Sequence, residues 1–346
     1  MRRPGLLANR HNKKGVYLNQ NDLPKKCSYT ISREVKNLRK KLKIKAKKLC
    51  KNGVSPQTLA IYQQKRGDFK KFAQSIKMPH LPASEKLISY YIAHLSGRKL
   101  KPSTLKGYLA AISFFHKNRG INIDCSSPHI KQLIKGVNYQ DKKCPKKRKP
   151  IKFNLLSKII AIIPKICLQF DSLLFKSVLA LQYHACLRIG EVVTSKTSTH
   201  TLKKNQIKIK TKSLSIHFKS FKHARQSNKK LKLLRQSEKS NICPVQLLTE
   251  YNKVRPRTKG DVQFFITKEG KPINRLDVAK VLKNSIKELG LNSENFNTHS
   301  MRIGRATQLH LNQCPGEDIK RYGRWSSDAY LTYIKTNKLT IPQCYD

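Results

Sequence analysis

The sequence is poor in acidic residues, and its cysteines form no motif. Its 346 residues include 19 Asp and Glu against 73 Lys and Arg, which sets the formal net charge at +54. The nine cysteines include no CxxC pair, so their spacing predicts no zinc site. No stretch approaches the roughly 18 uninterrupted apolar residues that a membrane helix needs. The opening MRRPGLLANRHNKKG lacks the apolar region of a secretory signal, and an odd number of cysteines without such a signal indicates a reducing compartment.

What the sequence has in excess is positive charge. In a folded chain this excess predicts an extended polyanionic partner, for which nucleic acid is the obvious candidate. Most of the excess is lysine, which favours sequence-independent phosphate contacts over base reading. Part of it reflects a composition that is also rich in Asn and Ile. The chain is long enough for two packed domains, which is more than a purely structural basic protein of the histone or ribosomal kind needs.

Composition and helix signals divide the chain into four segments. They are a basic N-terminal extension (1–53), a helical domain with lysine at many polar positions (54–140), a basic linker (141–150) and a second domain (151–346). Two prolines, Pro145 and Pro150, prevent the linker from forming a continuous helix. Its PKKRK run is similar to a nuclear import signal, and it could equally lie along a DNA backbone. We expect DNA contacts from Lys101, Lys106, Lys146, Lys147, Arg148 and Lys149.

Helical patterns dominate the first 140 residues. Charges crowd most faces of a helix from Ser32 to near Gly53, so we expect it to be solvated or bound to phosphate. Four further helices follow: one capped by Ser55, one from Ser84 to Gly97, one capped by Ser103 and stopped by Gly120, and a short one in SPHIKQLIKGVNYQ. The helix after Ser55 is predicted to bury an apolar stripe made of Leu59, Tyr62, Phe69, Phe72 and Ile76.

The second domain is predicted to combine helices with a small sheet. FNLLSKIIAIIPKI and DSLLFKSVLALQYHACLRIGEVVTS have apolar residues spaced by three and four, which is typical of helices. The stretch NQIKIKTKSLSIHFKSFKHARQSNKKLKLL alternates instead, and this predicts three short antiparallel strands. Their apolar positions are Ile207, Ile209, Leu214, Ile216, Phe218, Leu231 and Leu233. The predicted fold class is therefore mainly α with a small antiparallel β-sheet.

Four short stretches of the second domain carry polar residues that could act together. ACLRIGEV places Arg188 and Glu191 at the end of an apolar helix, where a cation could simply complement the helix dipole. THSMRIGRATQLHL places His299 and Arg302 on one helical face. The other candidates are Lys219, Lys222 and His223 in HFKSFKHARQ, and Trp325, Tyr330 and Tyr333 in GRWSSDAYLTYIK, whose helix is capped by Ser326 or Ser327. Taken singly, each stretch is compatible with a surface or packing role.

The order Arg, Lys, His-x-x-Arg, Trp, Tyr resembles the catalytic set of the tyrosine recombinases, the phage integrase family. HSMRIGRAT followed by GRWSSDAYLTYI is especially similar to the eukaryotic mobile-element branch, the Crypton- and DIRS-like recombinases. STLKGYLAAISFFHK and HIKQLIKGV resemble the family's helical, SAM-like core-binding domain, which implies that residues 54–140 bind DNA, and residues 151–335 resemble its catalytic domain. The resemblance implies a two-domain architecture that clamps one DNA duplex. The first fifty or so residues have no counterpart in it.

The resemblance also implies site-specific DNA strand transfer that needs neither a metal ion nor ATP nor any other cofactor. Tyr333 would be the nucleophile and would store the energy of the broken bond as a 3′-phosphotyrosyl ester. Arg188 and Arg302 would stabilise the negative charge that develops on the scissile phosphate. This reaction fits a sequence without a P-loop or an acidic metal cluster.

Three further roles follow from the same resemblance. His299 would donate a hydrogen bond or accept the phenol proton, and Trp325 would donate one hydrogen bond to the phosphate. Lys222 would protonate the leaving 5′-oxygen, with Lys219 as the alternative.

Two assignments in the last stretches have competing interpretations. Tyr333 is preferred to Tyr330 as the nucleophile because it lies eight residues after Trp325, close to the spacing usual in the family. Glu191 resembles a position that supports the first arginine from behind, and its alternative is an ordinary surface salt bridge.

The implied partner is double-stranded DNA, bound by a homo-tetramer on two synapsed duplexes, with a monomer when free and no membrane contact. The expected location is the nucleus in a eukaryotic host, and the cytoplasm or nucleoid otherwise. Two other functions are compatible with the same residues. One is a domesticated, catalytically silent DNA-binding protein of this fold. The other is a type IB topoisomerase, which the helical domain ahead of the catalytic one disfavours.

Overall fold

The structure is a computed structural model that describes residues 32–140, 148–194, 200–221, 228–236 and 240–335. The chain divides into two compact units, Met1–Lys142 and Lys143–Asp346. Within the described residues, none of the helices has the length and apolar character needed to cross a bilayer.

All regular secondary structure in the described part of the first unit is helical. Its helices are α1 (Arg33–Asn52), α2 (Pro56–Ser75), α3 (Glu85–Gly97), α4 (Pro102–Lys117) and α5 (Pro128–Gln140). Ser32, Ser55 and Ser84 cap the first three, each accepting a hydrogen bond from the backbone N–H three residues on, as serine does at this position. The predicted cap Ser55 is thus confirmed, and the helix that was predicted to start at Ser84 is capped by that residue.

Two details of these helices differ from the prediction. The N-cap of α4 is Lys101 rather than Ser103, because Pro102 takes the first helical position, where its missing N–H has no consequence. In the predicted stripe of α2, Phe69 is buried, Leu59, Tyr62 and Phe72 are half-buried, and Ile76 is exposed. Ile76 is the C-cap of α2, so its side chain leaves the face that the helix presents to the core.

The core of the first unit lies between α2, α3, α4 and α5. Its centre is Tyr91, which is fully buried and packs edge-on against Phe69 at 5.0 Å between ring centroids. Its phenol donates to Asp68, which also pairs with Arg98. Helix α1 buries none of its residues, in agreement with the charges on most of its faces.

In the described part of the second unit, helices and strands pack around one long central helix. Its helices are α6 (Phe153–Ile166), α7 (Gln169–His184), α8 (Ile189–Val192), α9 (Pro244–Val254), α10 (Arg275–Glu288), α11 (Ser300–Leu311) and α12 (Gly316–Gly323), and its strands are β1 (Ile207–Lys210), β2 (Ser213–Phe218) and β3 (Lys229–Leu234). Short 3₁₀ turns lie at Lys204–Gln206, Ser293–Asn295 and Asp328–Tyr333. Helix α7 buries every residue from Leu174 to His184 except Lys176, so the other elements pack around it.

The three predicted strands are confirmed as one antiparallel sheet in the order β1-β2-β3. Ile216 lies opposite Ile207 and Leu231. Leu214, Ile216 and Phe218 of the central strand are buried, since alternate residues of a strand point to the same face. The mainly α fold with a small antiparallel sheet is the observed one.

The apolar helix expected to end at Arg188 is interrupted earlier. Helix α7 stops at His184, Cys186 adopts a positive φ of 49°, and Arg188 becomes the N-cap of the short helix α8. The interpretation of Arg188 as a cation on a helix C-terminal dipole is therefore wrong. Backbone carbonyls in the turn between α7 and α8 instead accept hydrogen bonds from Arg302 and Arg324, and the candidate site forms there.

Candidate active site

Arg302 lies at the centre of the candidate site. It is on α11 and its side chain is fully buried. Nη1 donates to the carbonyl of Cys186 in the α7–α8 turn, and Nη2 donates to the carbonyl of Gly323 at 2.6 Å. Its guanidinium carbon lies 4.1 Å from the ring centroid of Trp325 and 5.6 Å from that of Tyr333. Arg302 therefore joins the turn, the end of α12 and both aromatic rings.

Trp325 is placed by a tight turn at the end of α12. The helix ends at Gly323, Arg324 adopts the left-handed conformation (φ 57°, ψ 41°), and the N–H of Trp325 bonds back to Lys320 at 3.0 Å. A Cβ on Gly323 would lie 1.6 Å from Cζ3 of the indole. Glycine is thus the residue that allows the buried indole ring to lie against this helix.

Tyr333 ends the 3₁₀ turn at Asp328–Tyr333, which is capped by Ser327 rather than Ser326. Its ring centroid is 5.1 Å from both the His299 ring and the Trp325 ring. The Thr307 hydroxyl on α11 donates to the carbonyl of Tyr333 at 3.2 Å and accepts from the N–H of Lys335 at 3.1 Å. The backbone of Tyr333 is therefore fixed to the helix that carries His299 and Arg302.

Tyr330 occupies a different environment. Its ring is 6.3 Å from Trp325, and it is half-buried among the apolar side chains around Ile319 of α12. Tyr333 packs against the same cluster, but its ring also faces His299 and Arg302.

Arg188 is linked to the site through Glu191. Its Nη1 pairs with Oε1 of Glu191 at 3.1 Å, and its own backbone N–H bonds to Oε2 at 3.0 Å. Glu191 is 3% exposed, and its Oε2 forms a second ion pair with Nη2 of Arg324 at 2.8 Å. Glu191 is thus a buried carboxylate shared by two arginines, and it is no surface salt bridge.

Sequence reasoning missed Arg324. The residue stands in GRW, the stretch that carries the family resemblance, but nothing in the spacing marked it as buried. Its left-handed backbone turns the side chain inward to Glu191, which lies 133 positions away. A cation followed by the only tryptophan was the signal available.

The electrostatics favour binding of an anion. Burial alone would raise the pKa of Glu191, but Arg324, Arg302 and Arg188 outweigh it and hold the pKa below its usual range, so the carboxylate stays charged. Three guanidinium groups around one carboxylate leave net positive charge. Within the described part of the chain, the indole N–H of Trp325 and Nε of Arg302 are buried and have no acceptor. A phosphate oxygen is an acceptor that suits both, but the side chains that cover them must move before it can reach them.

The remaining predicted residues lie apart from this cluster or outside the described residues. Lys219 is exposed and directly follows β2, whereas Lys222 and His223 lie outside the described residues. Lys101 and Lys106 are exposed on the first unit. Lys146 and Lys147 lie outside the described residues, while Arg148 donates to the carbonyl of Glu294 and the N–H of Lys149 to that of Asn295. In the ranges that the structure covers, no three His, Cys, Asp or Glu side chains are grouped as a metal site.

Comparisons with known proteins concern the family and the fold. The model of the phage integrase family matches residues 151–338. A comparison with curated protein sequences finds no matching relative. Among solved structures, the XerH site-specific recombinase bound to a palindromic difH substrate, in a post-cleavage complex, is similar with a TM-score of 0.59 and 16% identity over 86% of this chain and 82% of that one.

Two other recombinase structures share the fold. A variant of the Tn1549 transposon integrase in complex with transposon right end DNA gives a TM-score of 0.56 at 11% identity, covering 83% of this chain and 91% of that one. A lambda integrase dimer bound to a core site gives 0.51 at 16% identity, covering 86% and 77%.

Proposed function

This chain belongs to the phage integrase family, and from that premise we propose that it is a DNA strand transferase that cuts and rejoins DNA through Tyr333. The observation that carries the proposal is the direct packing of Tyr333 against His299, Trp325 and Arg302. These four side chains come from two segments separated in the sequence. A nucleophile, a proton-transferring imidazole and a fixed cation in mutual contact are the parts that phosphoryl transfer to a side chain needs.

In the proposed reaction, the phenolic oxygen of Tyr333 attacks the scissile phosphorus and the bond to the 5′-oxygen breaks. The phenol proton passes to His299 or to solvent, and the leaving 5′-oxygen takes a proton from Lys222 or Lys219. Arg302 and Arg188 stabilise the charge that grows on the non-bridging oxygens. A 5′-hydroxyl then attacks the 3′-phosphotyrosyl ester, so one phosphodiester is broken and one is formed without an external energy source.

The proposed partner is double-stranded DNA. The support is the net charge of +54 and the similarity of the fold to recombinases that were solved on DNA. Because lysine contacts with phosphates release counterions, we expect the affinity to fall steeply with salt. A slope equivalent to one or two phosphates would contradict extensive backbone contact.

The finer assignments are also part of this proposal. The motifs HSMRIGRAT and GRWSSDAYLTYI support a recombinase of a eukaryotic mobile element of the Crypton or DIRS kind, and PKKRK supports a nuclear location. We further propose a homo-tetramer on two synapsed duplexes.

Trapping of the covalent intermediate tests the proposal. Duplexes are drawn from the DNA flanking the gene and nicked so that the short 5′-hydroxyl fragment diffuses away after cleavage. Wild-type protein should then form a protein–DNA adduct on a denaturing gel. Tyr333→Phe should abolish the adduct, and the matched control Tyr330→Phe should retain it. An adduct that persists in Tyr333→Phe would overturn the assignment of the nucleophile.

A second candidate function is a catalytically silent DNA-binding protein of the same fold. One observation favours it: Arg302 is fully buried, and both of its Nη atoms donate to backbone carbonyls. A wild-type protein that binds the flanking DNA tightly but forms no adduct with any of the nicked duplexes would decide for this alternative.

A further inference from the structure

We propose that Arg324 neutralises Glu191 and thereby leaves the positive charge of Arg188 available for a DNA phosphate. Arg324 would then be a positioning residue that acts through Glu191 and does not itself touch the substrate. This inference rests on the proposed function, because it assigns a task to Arg188 at the scissile phosphate.

The two arginines use Glu191 differently. Arg324 Nη2 lies 2.8 Å from Oε2, and both side chains of this pair are 3% exposed. Arg188 Nη1 lies 3.1 Å from Oε1 and its side chain is 20% exposed. The shorter and completely buried pair is therefore the one with Arg324, and the longer pair belongs to the arginine that reaches solvent.

Arg324 is fixed by three separate elements. Its left-handed backbone ends α12. Its Nη1 donates to the carbonyl of Ala185 at 3.3 Å and its Nη2 to that of Cys186 at 3.5 Å, both in the α7–α8 turn. Its guanidinium carbon lies 4.3 Å from the ring centroid of Phe218 at the end of β2. These contacts hold the charge at Glu191 and away from solvent.

The charges of Glu191, Arg188 and Arg324 explain why this arrangement matters for Arg188. A buried carboxylate needs a compensating cation. Without Arg324, Arg188 is the arginine that remains bonded directly to Glu191, because the Nη atoms of Arg302 donate to the carbonyls of Cys186 and Gly323 and act on Glu191 only through their charge. Arg188 would then form a closed, neutral ion pair. With Arg324 present, the group of two arginines and one glutamate keeps one positive charge, and Arg188 is the member that can present it.

Removing the charge of Glu191 distinguishes an electrostatic role of Arg324 from a purely structural one. In Arg324→Met, the uncompensated carboxylate should hold Arg188 and slow single-turnover cleavage by about 100-fold, as for loss of a charge-stabilising donor. Adding Glu191→Gln removes the carboxylate but keeps an oxygen that can accept from Arg188. The double variant should therefore cleave about tenfold faster than Arg324→Met, as expected for coupled residues.

The control is Arg255→Met. Arg255 is also buried in the second unit and also donates to backbone carbonyls, those of Phe264, Gln263 and Pro256, but it lies outside the candidate site. The Arg255→Met substitution should lower the melting temperature without slowing cleavage by the folded protein. If Arg324→Met does not fold, Arg324→Gly carries the same comparison, because glycine adopts positive φ without strain.

The outcomes separate this inference from the proposed function. Absence of an adduct from wild-type protein would contradict the proposed function itself. A wild-type adduct, together with a Glu191→Gln, Arg324→Met double variant that is no faster than Arg324→Met alone, would contradict the inference about Arg324 and leave the proposed function standing. Recovery of cleavage in the double variant, at equal affinity for the nicked duplex, would support it.

Discussion

Substitution of Gly323 by alanine should displace the indole of Trp325 from the site. An added Cβ would lie 1.6, 2.0 and 2.5 Å from Cζ3, Cε3 and Cη2 of the ring, whereas ordinary contact begins at 3.4 Å. The ring cannot yield easily, because it is 9% exposed and lies against Arg302 and Tyr333. The variant must therefore move the indole or the end of α12.

The size of the effect follows from the contacts that the ring would lose. Separation from the guanidinium of Arg302 costs about 0.5–2 kcal/mol, and loss of the edge-on contact with Tyr333 costs about 0.5–1.5 kcal/mol. Alanine in place of glycine in a helix stabilises it by up to about 1 kcal/mol, which offsets part of this loss. We expect a net destabilisation of about 1 kcal/mol, at the low end of the range known for overpacked sites, and a melting temperature lower by about 2–4 °C for a unit of this size.

The assay uses the fact that Trp325 is the only tryptophan in the chain. Its fluorescence reports on the site directly, so Gly323→Ala should shift the emission to longer wavelength and slow adduct formation. Gly316→Ala is the matched control in the same helix. There the added Cβ would lie 2.3 Å from the hydroxyl oxygen of Tyr330, at the far end of a side chain that can swing aside. Unchanged emission and melting temperature in Gly323→Ala would refute this packing argument.

Two further predictions concern Thr307 and His184. Thr307→Val should slow adduct formation about tenfold at unchanged DNA affinity, because it removes a hydrogen bond to the backbone of Tyr333. Thr307→Ser should keep the wild-type rate, and Thr332→Val, at an exposed position, is the control. Equal rates for Thr307→Val and wild type would contradict the role of Thr307 in fixing Tyr333. Burial, reinforced by the charge of Arg305, lowers the pKa of His184 to about 3, so the stability that neutral His184 contributes is complete above its ordinary pKa and is lost as the pH falls. Between pH 6.5 and 5 the free energy of unfolding should drop by about 2 kcal/mol, and His184→Gln should remove that drop in urea titrations; a variant with the wild-type dependence would contradict the assignment.

Most of the fold could be predicted from sequence periodicity. The alternation around Leu214 and Ile216 correctly gave the sheet, and the serines at positions 55 and 84 correctly gave helix starts, because strand pleating and capping are local effects. Local signals failed where two of them competed. Pro102 took the first helical position and displaced Ser103 from the cap of α4.

The candidate site was less accessible to sequence reasoning. The motifs contain His299, Arg302, Trp325 and Tyr333, whose side chains the fold brings together, and their catalytic roles stay predictions. The burial of Arg324 was not predictable. It depends on a left-handed residue at the end of α12 and on a carboxylate 133 positions away, and neither has a periodic signal. The end of α7 just before Cys186, which has a positive φ, could not be predicted because the apolar spacing continues through this position.

The measurement that tests the account most directly is the identification of the residue bonded to DNA. Protein trapped on a nicked duplex is digested with protease and nuclease, and the modified peptide is sequenced by mass spectrometry. The account predicts a nucleotide attached through its 3′-phosphate to Tyr333. A nucleotide on Tyr330 or any other side chain, or DNA that is cleaved without a covalent protein intermediate, would contradict it.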